Sequence, residues 1–148
     1  MTQTDPAALA RACAEAMWST DAASKGLGMT LEDIGPGRAR LSMPVRADMV
    51  NGYETCHGGI ISALADSAFA FACNSHGVVT VAAGFEVDFL EAAYVGDLLV
   101  AEAREVVLRG RSGIYDVTVR RDDTVVAVFR GRSRSLGRPV LEGQALEG

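Results

Sequence analysis

The chain has 148 residues, 49% of them hydrophobic and 22% charged, with a net charge of −5, which describes one globular domain and excludes a disordered or collagen-like chain. The acidic balance argues against a nucleic-acid partner, because phosphate binding runs on local basic charge. The longest apolar stretch, Gly58 to Cys73, is interrupted by Ser62, Asp66 and Ser67 and falls short of the ~20 residues that a bilayer demands, so no membrane span is expected.

The opening Met1-Thr-Gln-Thr-Asp5-Pro6 lacks the basic and apolar regions of a secretory signal. Three cysteines, Cys13, Cys56 and Cys73, are odd in number and lack zinc spacing, so a reduced, cytoplasmic setting without a bound metal is expected. The charge is unevenly spread. Between Arg104 and Arg138 nine arginines face four acids, whereas the rest of the chain carries five bases and fifteen acids. These arginines are either solvated strand faces or a phosphate-binding rim.

In chain order, Thr4-Asp5-Pro6 offers a helix cap, and Ala8, Leu9, Ala12, Cys13, Ala16 and Met17 recur at helical spacing, predicting a helix over Pro6–Ala23. Met29–Ile34 and Arg38–Val45, joined by Gly35-Pro36-Gly37, read as a hairpin. Arg46 to Cys56 reads as a loop, and His57 to His76 as a helix apolar on nearly every face, which something must wrap. Val78–Leu90, Leu98–Leu108, Ser112–Arg121 and Thr124–Ser135 are β-branched-rich and predict four strands in a meander. The expected architecture is α+β: a curved antiparallel sheet of five to six strands folded around one long central helix, with an extra N-terminal helix. One domain over 1–137 and a loose tail over 138–148 complete it.

The chemistry concentrates in Asn51-Gly-Tyr-Glu-Thr-Cys-His57-Gly58-Gly59 and the helix that follows. Asp66 sits midway along the most apolar helix, where an unpaired carboxylate is costly and its pKa rises. Its presence requires a partner, such as Ser62, an arginine or a group across an interface, or else a catalytic purpose. Gly58 and Gly59 begin the helix, so their free N–H groups and the positive end of the dipole can hold a developing oxyanion; glycine also admits a bulky thioester close to the backbone. Alternatively the pair only makes a tight entry turn. Gly59 and Asp66 share a helix face but stand ~10 Å apart along it, too far to act on one carbonyl. Two such helices lying antiparallel across a two-fold axis would bring the start of one opposite the Asp66 of the other, which implies a dimer with composite sites.

His57 can orient the loop, donate to a substrate carbonyl or cap backbone groups. A Cys56–His57 nucleophile is disfavoured because neighbouring side chains seldom point together. Asn51 either holds a water or the Asp66 carboxylate through its amide, or serves as the first residue of an Asn-Gly turn.

The run Asn51-(x)5-His57-Gly58-Gly59-(x)6-Asp66, continued by Ala68-Phe69-Ala70-x-Ala72-Cys73-Asn74-Ser75, resembles the hotdog-fold acyl-CoA thioesterases of the PaaI type. Val87-Asp88-Phe89-Leu90, Gly96-Asp97, Gly113-Ile114-Tyr115-Asp116 and Val128-Phe129-Arg130-Gly131-x-Ser133 extend the likeness over roughly residues 10–137. The resemblance implies hydrolysis of an aryl-acetyl thioester of coenzyme A, phenylacetyl or hydroxylated phenylacetyl, without a cofactor and by a dimer or a dimer of dimers. It assigns Asp66 as general base or nucleophile, the Gly58 N–H as the group that polarises the carbonyl, His57 as support for the oxyanion loop, and Asn51 as the residue that positions nucleophile or water. Two positions depart from the pattern. Ala83 stands where many relatives carry a hydroxyl that holds the attacking water, and Glu91-Ala92 replaces Arg-Pro, which turns attention to Arg109, Arg111 and Arg132 for the nucleotide phosphates. A hotdog hydratase or dehydratase would need a histidine opposite the acid, and a non-catalytic acyl-CoA-binding regulatory module is the other alternative.

Overall fold

The computed structural model describes residues 5–142. Helix α1 (Pro6–Thr20) starts where expected: the Asp5 carboxylate accepts the Ala8 N–H at 3.2 Å, with Pro6 in the first turn. The helix expected to reach Ala23 stops at Thr20, and α2 (Ala22–Gly26) begins anew. Asp21 causes the break, since its carboxylate accepts the backbone N–H of Ser24 at 3.0 Å and the Ser24 hydroxyl at 2.7 Å, recapping the chain in a new direction.

Strands β1 (Thr30–Gly35) and β2 (Arg38–Pro44) form the expected hairpin, and a short 3₁₀ turn (Ala47–Met49) interrupts the loop that follows. Helix α3 spans Gly58–Cys73, three residues short of the expected end. Asn74 closes it: its side-chain amide donates to the carbonyls of Ala70 (2.8 Å) and Thr80 (2.9 Å), and its oxygen accepts the Thr80 N–H at 2.9 Å. One side chain thus ends the helix and fixes the strand after it.

The remaining strands are β3 (Val78–Phe89), β4 (Leu98–Arg109), β5 (Ser112–Arg121) and β6 (Thr124–Pro139). All six lie in one antiparallel sheet of order β1-β2-β4-β5-β6-β3. Only β4, β5 and β6 form a meander. β3 crosses to the far edge and pairs with β6, contrary to the four-strand meander, because β2 takes the free side of β4. β6 runs past Ser135 to Pro139, which pairs with Val78, so Arg138 and Pro139 of the expected tail lie in the sheet; residues 143–148 of that tail lie outside the described residues.

Alternate residues of the middle strands, including Leu41, Met43, Leu99, Ala101, Val117 and Val119, are buried against α3, which packs chiefly across β2, β4 and β5. Leu64, Phe69 and Phe71 fill the space from the helix side, each worth about 1.5–3 kcal/mol on burial. Phe69 lies over Gly131, where a β-carbon would come within 2.7 Å of the ring. Among the described residues no helix is long and apolar enough to cross a membrane.

Candidate active site

The sheet covers α3 on one side only. Gly59, Ser62, Ala63, Asp66 and Ala70 recur at three- and four-residue steps, and none of them is fully buried. This open face is small and nearly uncharged, with one carboxylate at its middle.

At the start of the helix, His57 is the N-cap, and its carbonyl accepts the N–H groups of Ile60 (3.0 Å) and Ile61 (3.1 Å). The N–H groups of Gly58 and Gly59 have no acceptor among the described residues, as the first turn of any helix requires. Gly58 is there for a steric reason: a β-carbon would stand 2.9 Å from Cζ of Phe89. Gly59 faces open space, with nothing within 4 Å of a β-carbon. Gly58 lines an open cavity of about 420 Å³ with Thr55, Cys56, Ile61, Phe89 and Leu90.

His57 is exposed, makes no side-chain capping bond, and donates its backbone N–H to Met49 at 2.9 Å. Asn51 organises the preceding loop. Its side-chain oxygen accepts the N–H groups of Tyr53 (2.9 Å) and Thr55 (3.2 Å) and the Thr55 hydroxyl (3.2 Å). The turn role read for Asn51 is therefore present, and its side-chain NH₂ has no partner among the described residues.

Asp66 lies two turns further along α3, in a second open cavity of about 520 Å³ bounded by α1, α3, β3 and Val140. Burial raises its pKa above the ordinary value of 3.8. Ser62 does not cap it, because that hydroxyl donates to the Gly58 carbonyl at 2.7 Å. Ser67 is taken up by Ser24, hydroxyl to hydroxyl at 2.8 Å. No arginine pairs with it among the described residues. Burial pushes the Cys73 thiol up to about 12, the Asp66 charge adding to the effect, and raises the Cys56 thiol as well, so both stay protonated and unreactive at neutral pH.

The structure thus brings Gly58 and Gly59 together, and the same helix carries Asp66 roughly 12 Å away at 1.5 Å per residue, in a different cavity. The arginines lie elsewhere. Arg109 and Arg111 flank the exposed β4–β5 turn, and Arg132 donates to Glu86 at 3.1 Å across the β6–β3 pair; none of the three lines either cavity. Ala83 is the extra residue of a bulge in β3, and it is Ala82 that lines the Asp66 cavity. Two contributors were not foreseen from sequence: the Phe89 ring over Gly58, and the α1 side chains Ala16, Met17 and Thr20 in the Asp66 cavity. The latter share one helix face by spacing, but spacing does not say what that face meets.

Comparison with known proteins agrees with this arrangement. Residues 53–128 match the Thioesterase superfamily. The chain is 42% identical over 125 residues to the acyl-coenzyme A thioesterase PaaI of Escherichia coli, covering 84% of this chain and 89% of that protein. The structure of the E. coli PaaI protein from the phenylacetic acid degradation operon superposes with a TM-score of 0.89 at 38% identity, over 91% of this chain and 99% of the other. A mutant of the phenylacetic acid degradation protein PaaI from Thermus thermophilus gives 0.74 at 37% identity, over 76% and 97% of the two chains. With the helix-in-sheet architecture, the glycine pair and the matched segment all in agreement, the chain belongs to the thioesterase superfamily and is a thioester hydrolase of hotdog fold.

Proposed function

We propose that the protein hydrolyses acyl-CoA thioesters, with phenylacetyl-CoA or its hydroxylated forms as substrates, at composite sites made by two copies of the chain. The observation that carries this reading is that free backbone N–H groups at the start of α3 and a carboxylate without a partner among the described residues midway along it lie in separate open cavities. Neither cavity holds both groups. An antiparallel second α3 would set Gly58 of one copy against Asp66 of the other. The long edge strand β3 supports the same pairing, since Val81, Phe85 and Phe89 are each more than two-fifths exposed on it and, among the described residues, no strand lies along its outer edge.

In such a site the thioester carbonyl oxygen accepts the Gly58 N–H, which stabilises the charge that develops there. Asp66 then either attacks the carbonyl carbon or takes a proton from the water that does so. The carbon–sulfur bond breaks and the thiolate of coenzyme A leaves and gains a proton; the acid is released at once on the water route, and on the direct-attack route after water hydrolyses the acyl–Asp66 anhydride. His57 and Asn51 shape the loop that presents Gly58, and Gly59 leaves room for the thioester. Arg109, Arg111 and Arg132 are the basic groups proposed to meet the nucleotide phosphates. A cytoplasmic location suits a substrate carrying coenzyme A.

The test is thiol release from phenylacetyl-, hydroxyphenylacetyl-, benzoyl-, short-chain and long-chain acyl-CoA, with Asp66→Asn as control. Preferential cleavage of the aryl-acetyl thioesters, lost by more than a hundredfold in Asp66→Asn with the oligomer unchanged, is the expected result. Retained turnover in that variant would remove Asp66 from the chemistry, and binding without turnover by the parent chain would favour a regulatory acyl-CoA-binding module.

A further inference from the structure

The Asp66 cavity has a wall that the catalytic reading does not use. One side of it is the N-terminal helix, which presents Ala16, Met17 and Thr20 from a single face. We propose that α1 forms the selective wall of the acyl pocket, and that Met17 sets the size of acyl group that reaches the carboxylate. This rests on the reading of Asp66 as the catalytic carboxylate.

Three observations support it. First, the cavity is the right kind of space. It measures about 520 Å³, whereas an apolar cavity of roughly 150 Å³ suffices for a benzene ring. An aryl-acetyl group fits with space left over, so selection must come from wall shape rather than from bare capacity. Second, apart from Asp66 the wall's polar groups turn to nearby backbone, the Thr20 hydroxyl donating to the Met17 carbonyl at 3.5 Å. Asn74 spends its amide on Ala70 and Thr80, the Thr80 hydroxyl donates to the Val78 carbonyl at 2.8 Å, and the Cys73 thiol donates to the Ala70 carbonyl at 3.5 Å. Met17, Phe69, Ala70 and Ala82 add only apolar surface. Such a pocket accepts a hydrocarbon or aryl group and offers no dedicated partner to a polar one.

Third, α1 is pinned, so its face can act as a wall. Trp18 packs on Phe71 of α3 with ring centroids 6.0 Å apart. At the other end Leu9 lies against Gly77, where φ is +90° and a β-carbon would stand 3.2 Å from the leucine methyl. Met17 itself is half-buried between these anchors and packs on the core. Its unbranched side chain reshapes to fit different acyl groups, which makes it a graded rather than absolute filter.

The test separates binding from turnover. Ketone analogues of acyl-CoA, with CH₂ in place of the thioester sulfur, are titrated in a series from acetyl through phenylacetyl to decanoyl against the full chain, Met17→Ala and Met17→Trp. Ala16→Phe, at an exposed position on the same face, serves as a second narrowing variant should a Met17 change impair folding, which far-UV circular dichroism checks. The narrowing variants are expected to weaken the longest analogues at least tenfold while leaving acetyl within about twofold, and Met17→Ala to move the preference to longer chains. Uniform weakening across the series, or no change in rank in any folded variant, would overturn the proposal. Its failure is distinct from that of the catalytic reading. Rank order that follows Met17 while Asp66→Asn retains turnover would leave the pocket and remove the carboxylate, and the reverse pattern would do the opposite.

Discussion

Asp66 is held at a thermodynamic cost that pH exposes. Its pKa in the fold lies above its ordinary 3.8 because burial disfavours the charged form. A raised acid pKa contributes stability that is complete below the unfolded value and is lost as pH rises through the folded value. At neutral pH the carboxylate therefore weakens the protomer, and Asp66→Asn is expected to raise Tm at pH 7 while abolishing turnover, the gap in Tm closing as the pH falls below about 4. Thermal melts of both proteins across pH check the sign; a destabilised Asn variant at pH 7 would mean that the carboxylate has a partner in the assembly. Gly58 makes the complementary prediction. Gly58→Ala forces a methyl into the Phe89 ring and is expected to cost about 1–3 kcal/mol and at least tenfold in kcat/KM, and Phe89→Leu in the same chain should return the stability. The placement of both residues was legible in sequence, from a carboxylate in an apolar run and a glycine pair at a helix start. The aromatic ring that stands against Gly58 was not, because it arrives from a strand 31 positions later.

At the scale of elements, side chains that bond backbone decide where helices end. Asn74 is 6% exposed and makes three bonds at the junction of α3 and β3. Asn74→Ala is expected to lower stability by about 2–3 kcal/mol, read in urea unfolding, and to loosen the Thr80 segment of the Asp66 cavity; amide exchange accelerating at Thr80 before the rest of β3 would show the local effect. Asp21 acts similarly between α1 and α2. Periodicity continued smoothly through it, which is why a single helix to Ala23 was expected, since an Asp-x-x-Ser recap competes with helix continuation by local bonding that a hydrophobic pattern does not register. Strand positions were legible because inward residues alternate faithfully along β4 and β5. Strand order was not, as β3 beside β4 or beside β6 gives the same antiparallel alternation and only the position of β2 decides.

For the whole molecule, the open face of α3 and the edge of β3 make assembly the condition for activity under the proposed reading. Ser62→Arg, placed on the open face, is expected to yield a monomer by light scattering that retains its fold and loses turnover although Gly58 and Asp66 are both intact. A fully active monomer would end the composite-site proposal. Mixing Asp66→Asn and Gly58→Ala chains through a denaturation–refolding cycle should give about a quarter of the parent rate, above what either variant shows alone, because half the dimers are then mixed and each of those has one undamaged site. The sheet order carries one more consequence, for biosynthesis. α3 is complete at Cys73, yet β4, β5 and β6, which supply most of its cover, follow it in the chain, and β3 has no neighbour until β6 exists. At about 5–20 residues per second on the ribosome, the most apolar helix of the protein waits roughly 3–13 seconds between its own synthesis and that of Pro139. A slow codon run placed between residues 90 and 124 is therefore expected to lengthen this interval and lower the soluble yield without changing a single amino acid, read by comparing synonymous genes at equal expression.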